Sequence, residues 1–140
     1  MTNENIKYKT SRLSEEKLTE LALRIGNYVE TNKVYLNPLI RMNKLAEELK
    51  IQNHILSQVI NRYYKTSFFE FINSYRIKKA IEQISKNTNN KMKIASLGFY
   101  CGFNTRTSFI KSFKNHTGVS PSKFKLTENN SNNKNLNNIN

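Results

Sequence analysis

The stretch that decides the fold is residues 94–125, IASLGFYCGFNTRTSFIKSFKNHTGVSPSKFK. Its apolar spacing predicts a short helix over 92–101, a turn at Gly102-Phe103, and a second helix over 105–116. The stretch contains lysine and arginine but no acidic residue. A basic pair of short helices joined by a tight turn is typical of a helix-turn-helix that binds DNA.

The second helix of this stretch has clear end signals. Asn104 or Thr105 is expected to cap its start, and Gly118 is expected to end it. Ser120-Pro121 is an N-cap followed by proline at the first helical position, which predicts a last short helix through Phe124. The residues expected to point inward from the two helices are Ile94, Leu97, Cys101, Phe109 and Phe113.

The first half of the chain repeats this unit. A short helix is predicted over 42–49, a break over 50–52, and a helix from Asn53 to Tyr63 or Tyr64. The apolar face of the latter helix is expected to consist of Leu56, Val59, Ile60 and Tyr63. Its polar face would then consist of His54, Ser57, Gln58, Asn61 and Arg62.

Two longer helices complete the prediction. Ser14 is expected to cap a helix that ends near 31–33, followed by an extended connection over 35–38. The Ser67–Glu70 capping box starts a helix that is predicted to end near Ser85. The fold class is therefore all-α, with two helix-turn-helix subdomains joined by a long central helix and about seven helices in total.

The chain divides into five predicted segments. Residues 1–13 are polar and are interpreted as a linker or disordered arm. The first subdomain covers 14–66, the connecting helix 67–85, and the second subdomain 86–126. Residues 127–140 are predicted to be a disordered tail, because eight of the last twelve residues are asparagine.

The charge of the chain favours a polyanionic partner. Its 140 residues carry a net charge of +13, and the pI is about 9.9. The sequence has no apolar run near 18 residues, which would indicate a transmembrane helix, and its N-terminus is too polar for a signal peptide. The single Cys101 fits a reducing compartment, so a cytoplasmic location is expected.

The sequence predicts no catalytic residue, no metal site and no cofactor. Cys101 and His116 have no neighbours at metal-ligand spacing, and Glu15-Glu16 suits a helix start better than a catalytic pair. No nucleophile–base arrangement or phosphate-binding glycine loop is present. The aromatic residues Phe99, Phe103, Phe109 and Phe113 are interpreted as core rather than as a base-stacking platform.

Several residues resemble the signature of one family in identity and spacing. They are Gly102-Phe103, Ser108-Phe109, Phe113-Lys114, Gly118 and Ser120-Pro121. The family is the AraC/XylS family of bacterial transcription regulators, and the resemblance covers about residues 14–125. The first half agrees at Leu45-Ala46, Leu56, Phe68, Phe71-Ile72, Arg76 and Ala80.

The resemblance implies how such a domain binds DNA. The helices that start at Asn53 and Thr105 would enter two successive major grooves on one face, about 34 Å apart, with the long helix as a stiff spacer. A monomer would then read a long asymmetric site. The forms KYKTSRLSEE and LSQVIN are similar to a subgroup in which this domain ends a longer protein. An upstream sensor or dimerisation domain, often membrane-embedded in that subgroup, is therefore expected outside this chain.

Fourteen residues are candidates for DNA contacts. Those assigned to base edges are His54, Ser57, Gln58, Arg106, Thr107 and Lys111, because Gln suits adenine and Arg or Lys suits guanine. Those assigned to phosphates are Asn61, Arg62, Lys91, Lys93, Asn104, Thr105, Lys114 and Lys123. His54 is alternatively an ordinary exposed histidine, and Arg76 reaches either DNA or an internal partner.

The chain departs from the family pattern at four positions. Lys50 and Lys65 stand where the family usually has glycine, which costs roughly 1 kcal/mol each in a left-handed turn. Gln52 replaces the usual serine cap, and Gly98 replaces the usual helical alanine at a cost of about 1 kcal/mol. The second subdomain retains both turn glycines and is expected to form the better reading unit.

The preferred interpretation is a sequence-specific, non-enzymatic regulator domain that binds double-stranded DNA. A second is a helical interaction module that contacts RNA polymerase or another partner without reading DNA. A third is non-specific coating of DNA or RNA, which predicts little discrimination between target and bulk sequence.

Overall fold

The computed structural model describes residues 12–86 and 92–137, and the regular elements in these ranges are all helical. The predicted all-α fold with about seven helices is confirmed. The elements in chain order are α1 Glu15–Asn32, a 3-10 turn Val34–Leu36, α2 Met42–Leu49, α3 Asn53–Arg62, α4 Phe68–Lys86, α5 Ile94–Tyr100, α6 Arg106–Thr117 and α7 Pro121–Asn137.

The chain forms two compact units. The first unit contains the described residues up to Val34 together with Ile40–Ile72, and the second contains Tyr35–Leu39 together with the described residues from Asn73 on. This division differs from the predicted one. The boundary falls inside α4 rather than at its ends, so α4 contributes to both units instead of forming a separate connecting segment.

The first unit packs α1, α2 and α3 around an apolar core. Ser14 caps α1 by accepting a hydrogen bond from the Lys17 N–H at 3.2 Å, as predicted. The buried residues of the three helices are Leu18, Leu21, Ala22, Ile25, Val29, Leu45, Ala46, Leu49, Leu56, Val59 and Ile60. The 3.6-residue apolar spacing of the first helix predicts these α1 residues together with Tyr28, but Tyr28 is only half-buried.

The prediction that Tyr63 points inward was wrong. Tyr63 is 40% exposed, whereas the next residue, Tyr64, packs its ring 4.6 Å from that of Phe71. The Tyr64 hydroxyl donates to the carbonyl oxygen of Ala22 at 2.6 Å. Tyr63 still donates its N–H to the Val59 carbonyl at 2.9 Å, so the chain leaves the helical repeat only after Tyr63, and Tyr64 takes the inward position.

Three lysines adopt the left-handed conformation, all of them in the first unit. Their φ angles are 52° for Lys33, 57° for Lys50 and 55° for Lys65. The conformation that the family glycines imply at Lys50 and Lys65 is therefore confirmed. Lys33 and Lys50 each follow the last residue of a helix, where a positive charge suits the helix dipole and offsets part of the strain.

The second unit is built around the phenylalanines of α6. Its core contains Ile77, Ala80, Ile84, Leu97, Cys101, Phe103, Phe109 and Phe113, and Phe124 packs partly against it. Phe109 and Phe113 are fully buried and meet edge to face, with ring centroids 5.8 Å apart. The interpretation of Phe99 as a core residue was wrong, because its side chain is exposed on α5.

Arg76 attaches the connection after α1 to the second unit. It is buried and donates to the carbonyl oxygens of Tyr35 at 2.7 Å and Asn37 at 2.9 Å. The predicted extended connection over 35–38 was wrong at its first two residues, which belong to the 3-10 turn Val34–Leu36. The internal role that was one alternative for Arg76 is the one that the structure shows.

The last helix is longer than predicted. α7 begins at Pro121, as expected, but continues beyond Phe124 to Asn137, through the segment predicted to be a disordered tail. Its hydroxyl side chains bond back along the helix, Thr127 to the Lys123 carbonyl at 3.0 Å and Ser131 to the Thr127 carbonyl at 3.1 Å. The residues after Asn137, and most of the predicted loop 86–90, lie outside the described residues.

Candidate nucleic-acid interface

The outward face of α6 carries the densest set of predicted DNA contacts. Arg106, Thr107, Lys111 and Lys114 are all exposed, and at about 100° per residue they share an arc of about 140°. Phe109 and Phe113 lie outside this arc and are fully buried. The core therefore fixes which face of α6 is presented to solvent.

The turn before α6 is closed by backbone hydrogen bonds. The Phe103 N–H donates to the Gly98 carbonyl at 3.0 Å and the Gly102 N–H to the Phe99 carbonyl at 3.1 Å. Gly102 has a φ of 104°, a conformation that only glycine adopts without strain. A Cβ atom there would also collide with the Tyr35 carbonyl oxygen and lie 2.9 Å from the Cα atom of Leu36.

Thr105 is the cap of α6, which settles the choice between Asn104 and Thr105. Its Oγ1 accepts from the Ser108 N–H at 3.1 Å and donates to the Ser108 Oγ at 2.8 Å. The hydroxyl that was assigned to a phosphate is thus engaged in the cap. Asn104 remains exposed beside it.

Two further phosphate candidates of the second unit lie at the starts of α5 and α7. Lys93 is the N-cap residue of α5 and Lys123 lies in the first turn of α7, and both are exposed. Lys91 lies outside the described residues. Within the described ranges, no carboxylate lies within 4 Å of Arg106, Lys111, Lys114 or Lys123 in an ion pair.

On the corresponding face of α3 in the first unit, more of the candidate side chains already have partners within the chain. His54 is exposed, and Asn61 donates to the Ser57 Oγ at 3.3 Å. Gln58 and Arg62 both bond to the start of α1. The Arg62 Nη2 lies 2.9 Å from the Glu15 Oε1, and its Nη1 donates to the Leu13 carbonyl at 3.0 Å.

The contacts of Leu13 and Glu15 with α3 were missed by sequence reasoning. Glu15 was interpreted only as favourable charge at a helix start, which it also is. It lies 47 residues from Arg62 in the sequence, and no local periodicity connects the two. The only signal in the sequence was that Arg62, a basic residue on α3, could pair with an acidic residue at the start of another helix.

Neither a metal site nor a membrane span is found within the described residues. No group of three His, Cys, Asp or Glu side chains lies close enough together to hold a metal ion there. None of these helices is both long and apolar enough to cross a membrane. Burial raises the pKa of Cys101 to about 12, which keeps the thiol protonated and a poor metal ligand.

The model of a helix-turn-helix domain family matches residues 45–126, more than half of the chain. The chain belongs to the AraC family. Residues of both units fall within the match, and the family comprises transcription regulators with a DNA-binding domain of this type. The family predicted from Gly102-Phe103 and the motifs that follow is therefore confirmed.

Relatives of known structure share the fold. The C-terminal domain of AraT, a response regulator from Geobacillus stearothermophilus, is 25% identical, with a TM-score of 0.65 over 83% of this chain and 88% of that chain. The DNA-binding domain of AdpA, solved in complex with a target DNA, is 10% identical, with a TM-score of 0.63 over 76% of this chain and 90% of that chain.

One curated relative is a regulator of an operon. The Msm operon regulatory protein of Streptococcus mutans is 31% identical over 86 residues. These make up 61% of this chain but only 30% of that protein. The chain thus spans less than a third of the length of the regulator that it matches.

Proposed function

We propose that this chain is the sequence-reading part of a transcription regulator and places α3 and α6 in successive major grooves of duplex DNA. The outward face of α6 carries this proposal. It holds Arg106, Thr107, Lys111 and Lys114 above a fixed core and without carboxylate partners within the described ranges. Arg106 and Lys111 would donate to guanine O6 and N7, and Lys114 would contact phosphate.

The two units would contribute unequally to recognition. Arg106 and Lys111 are exposed, whereas Gln58 and Arg62 already have partners at the start of α1. The second unit would therefore supply most of the base discrimination. His54 would add the principal free contact of α3, since it is exposed near the start of that helix.

Selection from a random pool of duplexes tests this function. The expected product is a long asymmetric motif with two blocks about 10 bp apart, one for each recognition helix. If about six phosphates are neutralised, the plot of log K against log salt should have a slope near −5. Failure to retain any DNA at low salt would overturn the proposal, and equal binding to selected and bulk DNA would indicate non-specific coating.

A second candidate is an interaction module that contacts RNA polymerase or another protein. The exposed aromatic side chains of Phe99 and Tyr100 on α5 favour it, at 56% and 51% exposure. Replacing both with alanine should then reduce transcriptional output while DNA affinity stays unchanged.

As a DNA-binding domain the chain would act in the cytoplasm. It would be a monomer by itself and would follow an upstream sensor domain in a longer regulator.

A further inference from the structure

The segment that starts α1 contacts α3 through three hydrogen bonds, and a fourth joins the two α3 side chains involved. Besides its bonds to Leu13 and Glu15, the Arg62 guanidinium donates to the Gln58 Oε1 at 3.5 Å. The same Gln58 oxygen accepts from the Leu13 N–H at 3.4 Å. All four residues lie in the first unit. Two side chains that face DNA in the proposed function are thus bound by the chain itself.

The carboxylate of Glu15 occupies Arg62 in the way that a phosphate would. Guanidinium groups bind carboxylates and phosphates by the same charge-assisted hydrogen bonds, so the two anions are interchangeable partners. The side chain of Glu15 is 83% exposed, while that of Arg62 is 25% exposed. The Glu15 side chain can therefore rotate into the solvent while the Arg62 side chain stays at the edge of α3. An exposed ion pair of this kind is weak.

We propose that Glu15 is a built-in competitor of DNA, which occupies Arg62 until a phosphate of the duplex displaces it. This rests on the proposed function, because it requires α3 to approach DNA. The contact lowers the affinity of the first unit for any sequence, since phosphate contacts carry no base information. Binding by the first unit then depends on displacing one internal anion, a step that the face of α6 does not need.

The neighbouring Glu16 provides a matched control. Both glutamates lie in the first turn of α1, where they have the same favourable effect on the helix dipole. Glu15→Gln and Glu16→Gln remove the same charge from the same turn, but only the first removes the anion at 2.9 Å from Arg62. A difference between the two variants therefore reports the Arg62 contact and not the net charge.

The experiment measures the affinity of the whole chain for a mixed-sequence duplex of about 30 bp, roughly three helical turns, at several salt concentrations. Glu15→Gln should bind about three- to five-fold more tightly at low salt than Glu16→Gln, the range expected for an exposed ion pair. The salt slopes of the two variants should be equal, because Arg62 neutralises the same phosphate in both complexes once it is free of Glu15. In an Arg62→Gln background, the difference between the two glutamine variants should disappear.

Three outcomes would overturn the proposal. Equal gains in DNA affinity for Glu15→Gln and Glu16→Gln would show that the effect comes from net charge and not from the contact with Arg62. Weaker binding of a folded Glu15→Gln variant, checked by circular dichroism, would make Glu15 a residue that positions Arg62 for DNA. Unchanged binding of Glu15→Gln would also overturn it while the proposed function stands, whereas a wild-type chain that binds no duplex would remove both.

Discussion

Gly98 on α5 packs directly against Phe109 on α6. A Cβ atom at Gly98 would lie 2.8 Å from the Cγ and Cδ1 atoms of Phe109 and 2.9 Å from its Cβ atom. Phe109 is fully buried, so its ring has little room to move. The absence of a side chain at Gly98 thus sets the approach of the two helices of the second helix-turn-helix.

Gly98→Ala should destabilise the protein even though alanine is the better helix former. The change gains about 1 kcal/mol of helix propensity but overpacks the contact with Phe109 at a cost of about 1–3 kcal/mol. We expect a net loss of about 1 kcal/mol in urea unfolding followed by circular dichroism. The control is Ser96→Ala in the exposed part of the same helix, which should be neutral or slightly stabilising. A stabilised Gly98→Ala variant would contradict this packing.

The two glycines with positive φ should respond very differently to alanine. Gly118 has a φ of 84°, and a Cβ atom added there would have no neighbour within 4 Å. Gly118→Ala therefore carries only the strain of the left-handed region, about 1 kcal/mol. Gly102→Ala adds a collision with the backbone of Tyr35 and Leu36 and should cost about 3 kcal/mol or more. Equal unfolding free energies of the two variants would show that the backbone at Tyr35 yields easily.

Arg76 should be needed for stability and not for DNA binding. It donates to two backbone carbonyls and to the Asn73 Oδ1 at 3.0 Å, and its guanidinium lies 5.5 Å from the centroid of Phe103. Arg76→Lys keeps the charge but cannot reproduce these bonds, so it should lower the free energy of unfolding by about 2 kcal/mol. The salt slope of DNA binding should stay unchanged in a folded Arg76→Gln variant, which removes the charge. A shallower slope with normal stability would instead place Arg76 at DNA.

Local patterns predicted the helices well, because helix-forming stretches and their end signals are short in sequence. The starts of α2 and α3 at Met42 and Asn53, and the end of α6 at Gly118, lie where the pattern placed them. The left-handed turn at Lys50 also followed from the family glycine at that position. Local signals of this kind do not show where a segment packs when its partners lie far away in the sequence.

The features that the sequence did not reveal depend on contacts between distant residues. Helix propensity counts Gly98 as a defect, and only the position of Phe109 shows that it makes room for a ring. The bond from Arg76 to Tyr35 spans 41 residues. The division of the chain inside α4 follows from such contacts, since the segment after α1 packs with the second unit.

The thiol of Cys101 should be unreactive until the second unit unfolds. Its side chain is fully buried, and burial raises the pKa of Cys101 from 9.0 to about 12. An aromatic disulfide reagent at about pH 8 should therefore react only after urea is added, since the thiolate is the nucleophile. Rapid reaction of the native protein would show that α5 opens readily.

The raised pKa of Cys101 also predicts a pH dependence of stability. The unfolded thiol releases its proton near pH 9.0, while the folded thiol keeps it to about pH 12. The contribution of the protonated Cys101 thiol to the unfolding free energy is therefore complete below pH 9.0, and it is lost as the pH rises toward about 12. Between about pH 9 and pH 11 the unfolding free energy of the wild type should fall more steeply than that of Cys101→Ala, by up to about 1.4 kcal/mol per pH unit. Parallel curves would contradict the burial of the thiol.

Arg106→Ala should weaken binding and also relax specificity at one base pair. Arg106 is the first residue of α6 and is exposed, so its guanidinium can reach guanine O6 and N7 where the helix enters the groove. The expected loss on the selected site is about 1–3 kcal/mol, with a smaller loss on a site that carries a substitution at the contacted base pair. Lys123→Ala is the matched control for a phosphate contact. It should weaken binding to all sequences equally and reduce the magnitude of the salt slope by about 0.9. If Arg106→Ala behaves in the same way on every duplex, Arg106 contacts phosphate, and base reading by α6 must rest on Thr107 and Lys111.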